Sequence, residues 1–391
     1  MKGRYGDKMR VVFVSPFYMP FIGGAEISLG RVIGGLKRSG KVATRLLTSN
    51  QDSRGNFLKG EKHLKAGIRQ VGFSKKIAIS NTHTWKQQLV EKHYLALNDA
   101  IDKMDLIYLN SILYLRDLKA FGEIVNKGKP IIIKVVRTEA LEAFREGVRW
   151  ASNYNNVYFH CVSKQIVLAM LKLGVSETKL FKCPNPVDTK FFHPKAFSSG
   201  TPKSLRFIYT GKLAPQKNIP GLVDIFNRIL FYNKKAHLTI IGRNTHPEMF
   251  KTIKKLKKTS SGITWLEEIP NKRVGVYLRK SNFFLMASRD EGMSNSLLEA
   301  MSCGLCPIVP AKISGMKDLI VNNKNGFLYQ ENNIDEVAKK IAELDIAAIS
   351  KMGLKARRKM EEMCSLEEIV KKHLGFYISL KTGVALNKVY F

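Results

Sequence analysis

Apolar residues along the chain gather in short continuous runs rather than strict alternation. Met9–Ser15 (MRVVFVS), Val42–Thr48, Leu106–Leu109, Ile131–Val136 and Val157–Ser163 are such runs, the pattern of parallel strands covered on both faces. Most lead into segments of helical spacing, among them about Ala25 to Arg38 and Trp85–Lys103. Residues 51–70 read as an exposed, basic insertion. Cys183–Ser204 has four prolines and no clear periodicity, which marks a linker. A second series follows, with strands expected at Leu205–Tyr209, Ala236–Ile241, Gly262–Leu266, Asn282–Ala287 and Cys306–Val309, and closing helices at Met352–Met363 and Leu366–Leu380. Alternating strands and helices predict α/β architecture, here two Rossmann-like domains facing a central cleft. Ligands of such sheets sit at the carboxyl ends of the strands. The expected boundaries are 1–184 for the first domain, 185–203 for the linker, 204–365 for the second and 366–391 for a C-terminal helix.

A length of 391 residues suits two domains, and 45% hydrophobic with 25% charged residues is ordinary for a globular chain. The charge is less ordinary: 65 Lys and Arg against 32 Asp and Glu leave a net +33. The excess is spread evenly, with 31 basic and 14 acidic residues over 1–185 and 34 and 18 over the rest. Such a field implies anionic company, as nucleic acid, an acidic membrane surface or phosphorylated substrates. Five cysteines are few and odd in number, which fits a reduced compartment. No signal-like apolar region and no membrane-length apolar run is evident. The expectation is a cytoplasmic protein, soluble or peripheral on the inner face of a membrane.

The segment of greatest chemical content is Ser288–Ile308, SRDEGMSNSLLEAMSCGLCPI. It follows a predicted strand, and Ser294 or Asn295 is a good N-cap for a helix through Leu297–Met301. Gly292, Met293, Ser294 and Asn295 would then present backbone amides at a helix N-terminus, a natural seat for phosphate. Glu291 lies just before the turn and Glu299 one turn inside the helix. The order Glu299, amides, Glu291 matches ribose, diphosphate and sugar, whose hydroxyls would offset two carboxylates beside a diphosphate. In Tyr209–Asn218 (YTGKLAPQKN), Gly211 ends a strand, and Lys212 and Lys217 place two cations on one loop, suited to the charge on a departing nucleoside diphosphate. Pro20–Glu26 (PFIGGAE) sets Gly23 and Gly24, which permit positive φ and close backbone approach, before a helix.

These motifs closely resemble the retaining family-4 glycosyltransferases of the GT-B fold, from Met9 to about Leu380. Glu291 and Glu299, with their flanking glycines, match the family's E-x7-E. YTGKLAPQK matches G-R-L-x-x-x-K with Lys212 for arginine, and PFIGGAE matches P-x-x-G-G-x-E. CPNPVD resembles P-N-x-V-D, where Asn185 and Asp188 are expected to fix local turns. IIGRNT resembles a G-x-G loop with Asn244 for the second glycine, and Trp265–Pro270 falls where the family holds the nucleobase. The resemblance implies a contact of Glu291 with the transferred sugar, of Glu299 with ribose, and of Gly23, Gly24, Gly211 and Gly292–Asn295 with the donor. It implies that the last helix crosses back to the first domain, that the anomeric configuration is retained, and that neither cofactor nor metal is needed. A histidine that many relatives carry near the sugar is absent, with Asn110 and Arg137 at the two positions where it would fall. Asn110 is a candidate for the missing hydrogen bond and Arg137 for an anionic acceptor. Glu26 would contact acceptor or favour its helix N-terminus.

The expected function is therefore transfer of a sugar from a UDP- or GDP-sugar to a saccharide or lipid-linked acceptor, in polysaccharide or glycolipid synthesis. A sugar-nucleotide epimerase or phosphorylase, and a non-enzymatic membrane or nucleic-acid binder, are the alternatives. The lone pair Cys303 and Cys306 lacks the four ligands of structural zinc, and the eight histidines show no metal-binding spacing. No nucleic-acid module is evident, so no nucleic-acid partner is expected. Lys251–Lys258 (KTIKKLKK), Lys355–Met360 (KARRKM), and Trp85–Lys103 with Lys86, Lys92, His93 and Tyr94, are candidate surfaces toward an anionic membrane.

Overall fold

A computed structural model of the chain describes residues 8–18, 23–49, 68–71, 82–194, 204–244 and 246–383. Two compact units emerge, Met1–Asn185 with Leu366–Phe391, and Pro186–Ser365. The first is built on β1 (Met9–Ser15), β2 (Val42–Ser49), β3 (Ile68–Val71), β4 (Leu106–Leu109), β5 (Ile131–Val135), β6 (Val157–Cys161) and β7 (Leu180–Lys182). They form one parallel sheet in the order β3-β2-β1-β4-β5-β6-β7. Every residue of β4 and β5 is buried, as the apolar run of β4 and the apolar residues around Lys134 in β5 require.

The second unit carries β8 (Arg206–Thr210), β9 (His237–Ile241), β10 (Ile263–Leu266), β11 (Phe283–Leu285), β12 (Cys306–Pro310) and β13 (Phe327–Tyr329). These too are all parallel, in the order β10-β9-β8-β11-β12-β13. In each sheet the order reverses at one place, between β1 and β4 and between β8 and β11. A crevice opens beyond the carboxyl ends of strands at such a reversal.

The helix Leu366–Thr382 belongs to the first unit and lies against the helix Gly24–Arg38. Gly35 makes the approach possible, because a β-carbon there would stand 2.3 Å from Val370 Cγ2. Phe376 stacks on Phe181 with centroids 4.3 Å apart. Beneath this helix runs a polar thread. Tyr108 Oη is 2.5 Å from His160 Nδ1, His160 Nε2 donates to the Cys183 carbonyl at 2.6 Å, and His373 Nδ1 lies 3.1 Å from Tyr377 Oη. The possible ligand atoms of His160, Cys183 and His373 lie within 4.8 Å of one another. Both nitrogens of His160 are already hydrogen-bonded, and burial pushes the Cys183 thiol up to about 12. His160 is thus bonded into the core, while His373 Nε2 has no hydrogen-bond partner among the described residues.

The stretch expected as a linker contributes its described part largely to the second unit. Val187 N–H donates to the Cys364 carbonyl at 2.8 Å, Phe192 is buried, and Arg357 donates to the carbonyls of Phe192 at 3.0 Å and Thr189 at 3.3 Å. Its prolines and lack of periodicity mark irregular backbone, and irregular backbone bonded this way packs like any other. Residues 195–203 lie outside the described residues. So do 50–67, most of the stretch read as an insertion, whose end is strand β3. Strands β7 and β13, three residues each, have too few positions to show a period.

His93 and Tyr94, assigned above to a membrane-facing surface, are buried instead. His93 Nδ1 lies 2.9 Å from Tyr114 Oη, and Tyr94 donates to the Tyr114 carbonyl at 2.6 Å. Their polar tips find partners inside, so the helix Thr82–Ile101 turns this face to the core. All five cysteines are free and buried. Among the described residues no helix is long and apolar enough to cross a membrane.

Burial holds three imidazoles neutral. It takes His93 and His373 down to about 3 and His160 well below its usual range, where a proton on His373 or the charge of Lys134 further opposes protonation of His160. A lowered folded-state value means that the unfolded chain takes up the proton first. The stability from neutral burial is complete above about pH 6.5 and is lost as pH falls toward about 3. At about pH 5 His93 and His373 are each expected to cost ~2 kcal/mol, so Tm should drop by several degrees between about pH 7.5 and 5. A Tm unchanged across that window would contradict neutral burial.

Candidate active site

The second unit brings its predicted residues together at the reversal between β8 and β11. After β8 the backbone turns at Gly211, with φ 151°, where a β-carbon would meet the Tyr209 hydroxyl at 3.0 Å. The neighbouring loop is just as close. A β-carbon on Gly242 would fall 1.8 Å from the Gly211 carbonyl oxygen, while Gly211 N–H donates to Ile241 and Leu213 N–H to Arg243. Asn244 is not in the left-handed region, since among the described non-glycine residues only Asn218 and Asn323 have positive φ. Its Oδ1 accepts from His246 N–H at 3.1 Å.

Tyr209 Oη donates to the Lys212 carbonyl at 3.0 Å, which fixes the loop under the exposed Lys212 side chain. Pro215–Lys217 forms a short 3₁₀ turn, and Asn218, at φ 48°, caps the helix Ile219–Tyr232 by accepting from Gly221 N–H. The loop therefore ends with Lys217 held at a helix start.

Lys217 Nζ is ion-paired to Glu291 Oε1, across 74 residues of sequence. Ser288 Oγ donates to the same carboxylate oxygen at 3.3 Å. Arg289 N–H donates to the Gln216 carbonyl at 2.8 Å, tying the two loops through backbone as well. Both partners of the pair are largely shielded, with side chains 22% and 14% exposed, so little water screens their attraction.

Ser294 proves to be the N-cap of the helix Asn295–Ser302, its Oγ accepting from Leu297 N–H. Gly292, Met293, Ser294, Asn295 and Glu299 are all buried. Glu299 lies inside that helix, and its charge adds to burial in pushing the Cys303 thiol up to about 12. The turn has a support that the sequence reading missed. A β-carbon on Gly315 would fall 1.6 Å from the Gly292 carbonyl oxygen and 3.5 Å from Met293 Cα. The signal was present as a lone glycine shortly after β12.

In the first unit, the candidate residues near β1 and β4 take different parts. Gly23 is the N-cap of the helix Gly24–Arg38 with φ −119°, and Gly24 is helical, so neither uses the left-handed freedom expected of them. Residues 19–22 of that loop lie outside the described residues. Asn110 is buried, donates from Nδ2 to Ser15 Oγ at 3.1 Å and so joins the ends of the two central strands. Its Oδ1 has no hydrogen-bond partner among the described residues. Arg137, at the N-cap of the helix Thr138–Ala143, is exposed.

Glu26 is buried in the first turn of its helix, close enough for its charge to support Lys134. Lys134 is the second residue missed, a cation within the otherwise apolar strand β5. Its Nζ donates to Ser28 Oγ at 3.2 Å and Asn185 Oδ1 at 3.1 Å, and Ser28 Oγ donates to Asn185 Oδ1 at 2.9 Å. Burial brings Lys134 down to about 8, with Cys183 and Glu26 opposing the fall. Asn185, expected to hold a local turn, thus bonds to groups far along the chain. Asp188 does act locally, accepting from Lys190 and Phe191 N–H.

Residues 193–360 match the family model described as glycosyl transferases group 1. Over 278 residues the chain is 27% identical to the UDP-Gal:alpha-D-GlcNAc-diphosphoundecaprenol alpha-1,3-galactosyltransferase of Escherichia coli, covering 65% of this chain and 70% of that enzyme. Over 181 residues it is 30% identical to the lipopolysaccharide 1,6-galactosyltransferase of E. coli K12, covering 45% and 49%. Among solved structures, Anabaena HepE in complex with UDP and glucose superposes with a TM-score of 0.69 over 95% of this chain and all of that one, at 14% identity. At that identity the likeness speaks for the fold alone. The architecture is GT-B, and the protein is a glycosyltransferase.

Gly315→Ala is expected to displace the Gly292 turn, at a cost of about 1–3 kcal/mol from overpacking. Scanning fluorimetry of the variant should show a lowered Tm and no further rise with UDP or GDP. A nucleotide response equal to wild type would show that the turn does not depend on this approach.

Proposed function

We propose that the protein is a retaining, family-4 glycosyltransferase that moves a sugar from a nucleoside diphosphate sugar to a saccharide or lipid-linked acceptor without a divalent ion. The observation that carries this is the pairing of Lys217 with Glu291 beside the Ser294-capped helix, at the strand reversal of the second sheet. One cation, one carboxylate and a row of amides there suit a diphosphate joined to a polyhydroxylated ring. One relative bears on the donor, since it is named for UDP-Gal. It favours uridine over guanosine. Both galactosyltransferase relatives have names that point to glycolipid or surface-polysaccharide acceptors.

In this mechanism the donor diphosphate accepts from the amides of Gly292–Asn295 and draws Lys217 away from Glu291. Lys212 adds a second cation at the loop, so the charge developing on the departing diphosphate is met by groups already in place. Glu291, released from its ion pair, accepts from the hydroxyls of the transferred sugar, and Glu299 accepts from ribose. The acceptor hydroxyl attacks the anomeric carbon from the face the leaving phosphate vacates. That phosphate oxygen takes the hydroxyl proton, so the configuration is kept and no covalent enzyme intermediate forms.

Glu291→Ala and Lys217→Ala are each expected to lower kcat by about 10²–10³. Because the two side chains touch, the double variant should lose much less than the product of the single losses. Glu299→Ala should raise KM for the donor more than it lowers kcat. A thermal-shift series with UDP, GDP and ADP names the base, since a ligand at ~100 times its Kd adds ~2.7 kcal/mol. Full transfer activity of Glu291→Ala, or an inverted anomeric configuration in the product, would overturn the proposal.

A further inference from the structure

Of the three basic surfaces named from the sequence, one has another duty and one is engaged in part. The face with His93 and Tyr94 is core. In KARRKM, Arg357 is bonded to backbone carbonyls of its own unit and paired with Glu361 at 2.8 Å. The third, on the helix Met249–Thr259, keeps all its lysines exposed: Lys251, Lys254, Lys255, Lys257 and Lys258. From Met249 to Leu266 there is no acidic residue, nor from Ile225 to Pro247.

The structure adds a neighbour that the sequence places far away. The helix Ile219–Tyr232 ends in Phe231, 68% exposed, and Tyr232, 45% exposed, followed by the exposed Lys234 and Lys235. Gly262, just beyond the lysine-rich helix, sits against this end: a β-carbon there would lie 3.6 Å from Leu230 Cδ2 and 3.3 Å from the Ala236 carbonyl. Its own carbonyl accepts from Leu238 N–H at 2.9 Å. Both helices thus finish side by side where strands β9 and β10 begin, at the end of the unit away from Lys217 and Glu291.

We infer that this end of the second unit, with Phe231 and Tyr232 beside Lys234 and Lys235 and the adjoining helix carrying the exposed Lys255 and Lys258 near its end, docks on an anionic phospholipid surface. Ring and charge are matched to an interface. An aromatic side chain left in water gains by entering the boundary between headgroups and acyl chains, while lysines beside it meet lipid phosphates. Lys234 Nζ stands 5.0 Å over the Phe231 ring, and Phe231 packs edge to face on Tyr232 at 5.2 Å. Lys234 thus covers one face of the Phe231 ring, a face that a nucleic-acid base would need for stacking. All the cations of the patch are lysines, which supply charge without the planar fork that reads phosphates and bases in pairs. The inference does not depend on the proposed reaction, because its test reads partition and not turnover.

The purified full chain is to be floated with vesicles of phosphatidylcholine alone and of phosphatidylcholine with phosphatidylglycerol. Binding to the mixed vesicles only, weakened by salt, is expected. Replacing Lys234, Lys235, Lys255 and Lys258 together by Glu should weaken it at least about tenfold, and Phe231→Ser with Tyr232→Ser should weaken it with no change in charge. Reversing Lys339, Lys340, Lys351 and Lys355, equally exposed lysines on other helices of the unit, should change it much less. Equal losses from both lysine sets would show that the whole basic field acts, and would overturn the assignment. So would absence of vesicle binding, with or without a patch-dependent affinity for single-stranded RNA. Circular dichroism of each variant separates lost docking from lost fold.

Discussion

The carbonyl oxygen of Gly292 occupies the place where any side chain at position 315 would have to begin. Two loops that leave neighbouring strands β11 and β12 are therefore in backbone contact, with no adjustable side chain between them. That contact fixes the turn from Glu291 to Asn295, and the turn decides where a carboxylate, a helix start and a set of amides lie relative to one another. A second contact of the same kind, Gly242 against the Gly211 carbonyl, sets the loop that bears Lys212 and Lys217. Both lie at strand ends around the reversal, so the precision of the site comes from the sheet.

Within that frame the pairing of Lys217 with Glu291 stores both groups in a defined arrangement before anything binds. A lysine and a glutamate left separately in a shielded pocket would each lose hydration with nothing in return. Paired, they compensate each other, and an incoming anion competes with the carboxylate for the same ammonium. Lys134 shows the same logic in the first unit. Its charge is kept in the interior by Ser28, Asn185 and the nearby Glu26, which bind the end of β5 to the first turn of a helix and to the residue at the boundary of the unit.

Much of this was legible along the chain. Strands with unbroken apolar runs, such as Leu106–Leu109, could be bounded within a residue or two because burial on both faces leaves no room for polar side chains. The turn at Glu291 was legible because capping residues and glycines have few other uses in such a sequence. The partnership of Glu291 with Lys217 was not, since local pattern carries no information across 74 positions. His93 and Tyr94 misled because an amphipathic side chain suits an interface and a hydrogen-bonded interior equally well, and only Tyr114 decides between them. Lys134 stood in plain view as one cation in five strand residues. Gly23 shows the opposite failing: conformational freedom permitted is not conformational freedom used.

The helix Leu366–Thr382 completes a unit that began at the opposite end of the chain, seated on Gly35 through Val370. During synthesis this has a consequence of timing. The second unit is contiguous and can close as soon as it leaves the ribosome. The first, made earlier, must wait with the face around Leu36, Phe181 and Tyr108 uncovered until its last seventeen-residue piece emerges. A nascent chain in that interval exposes its oldest portion longest, and a chaperone would find its client there.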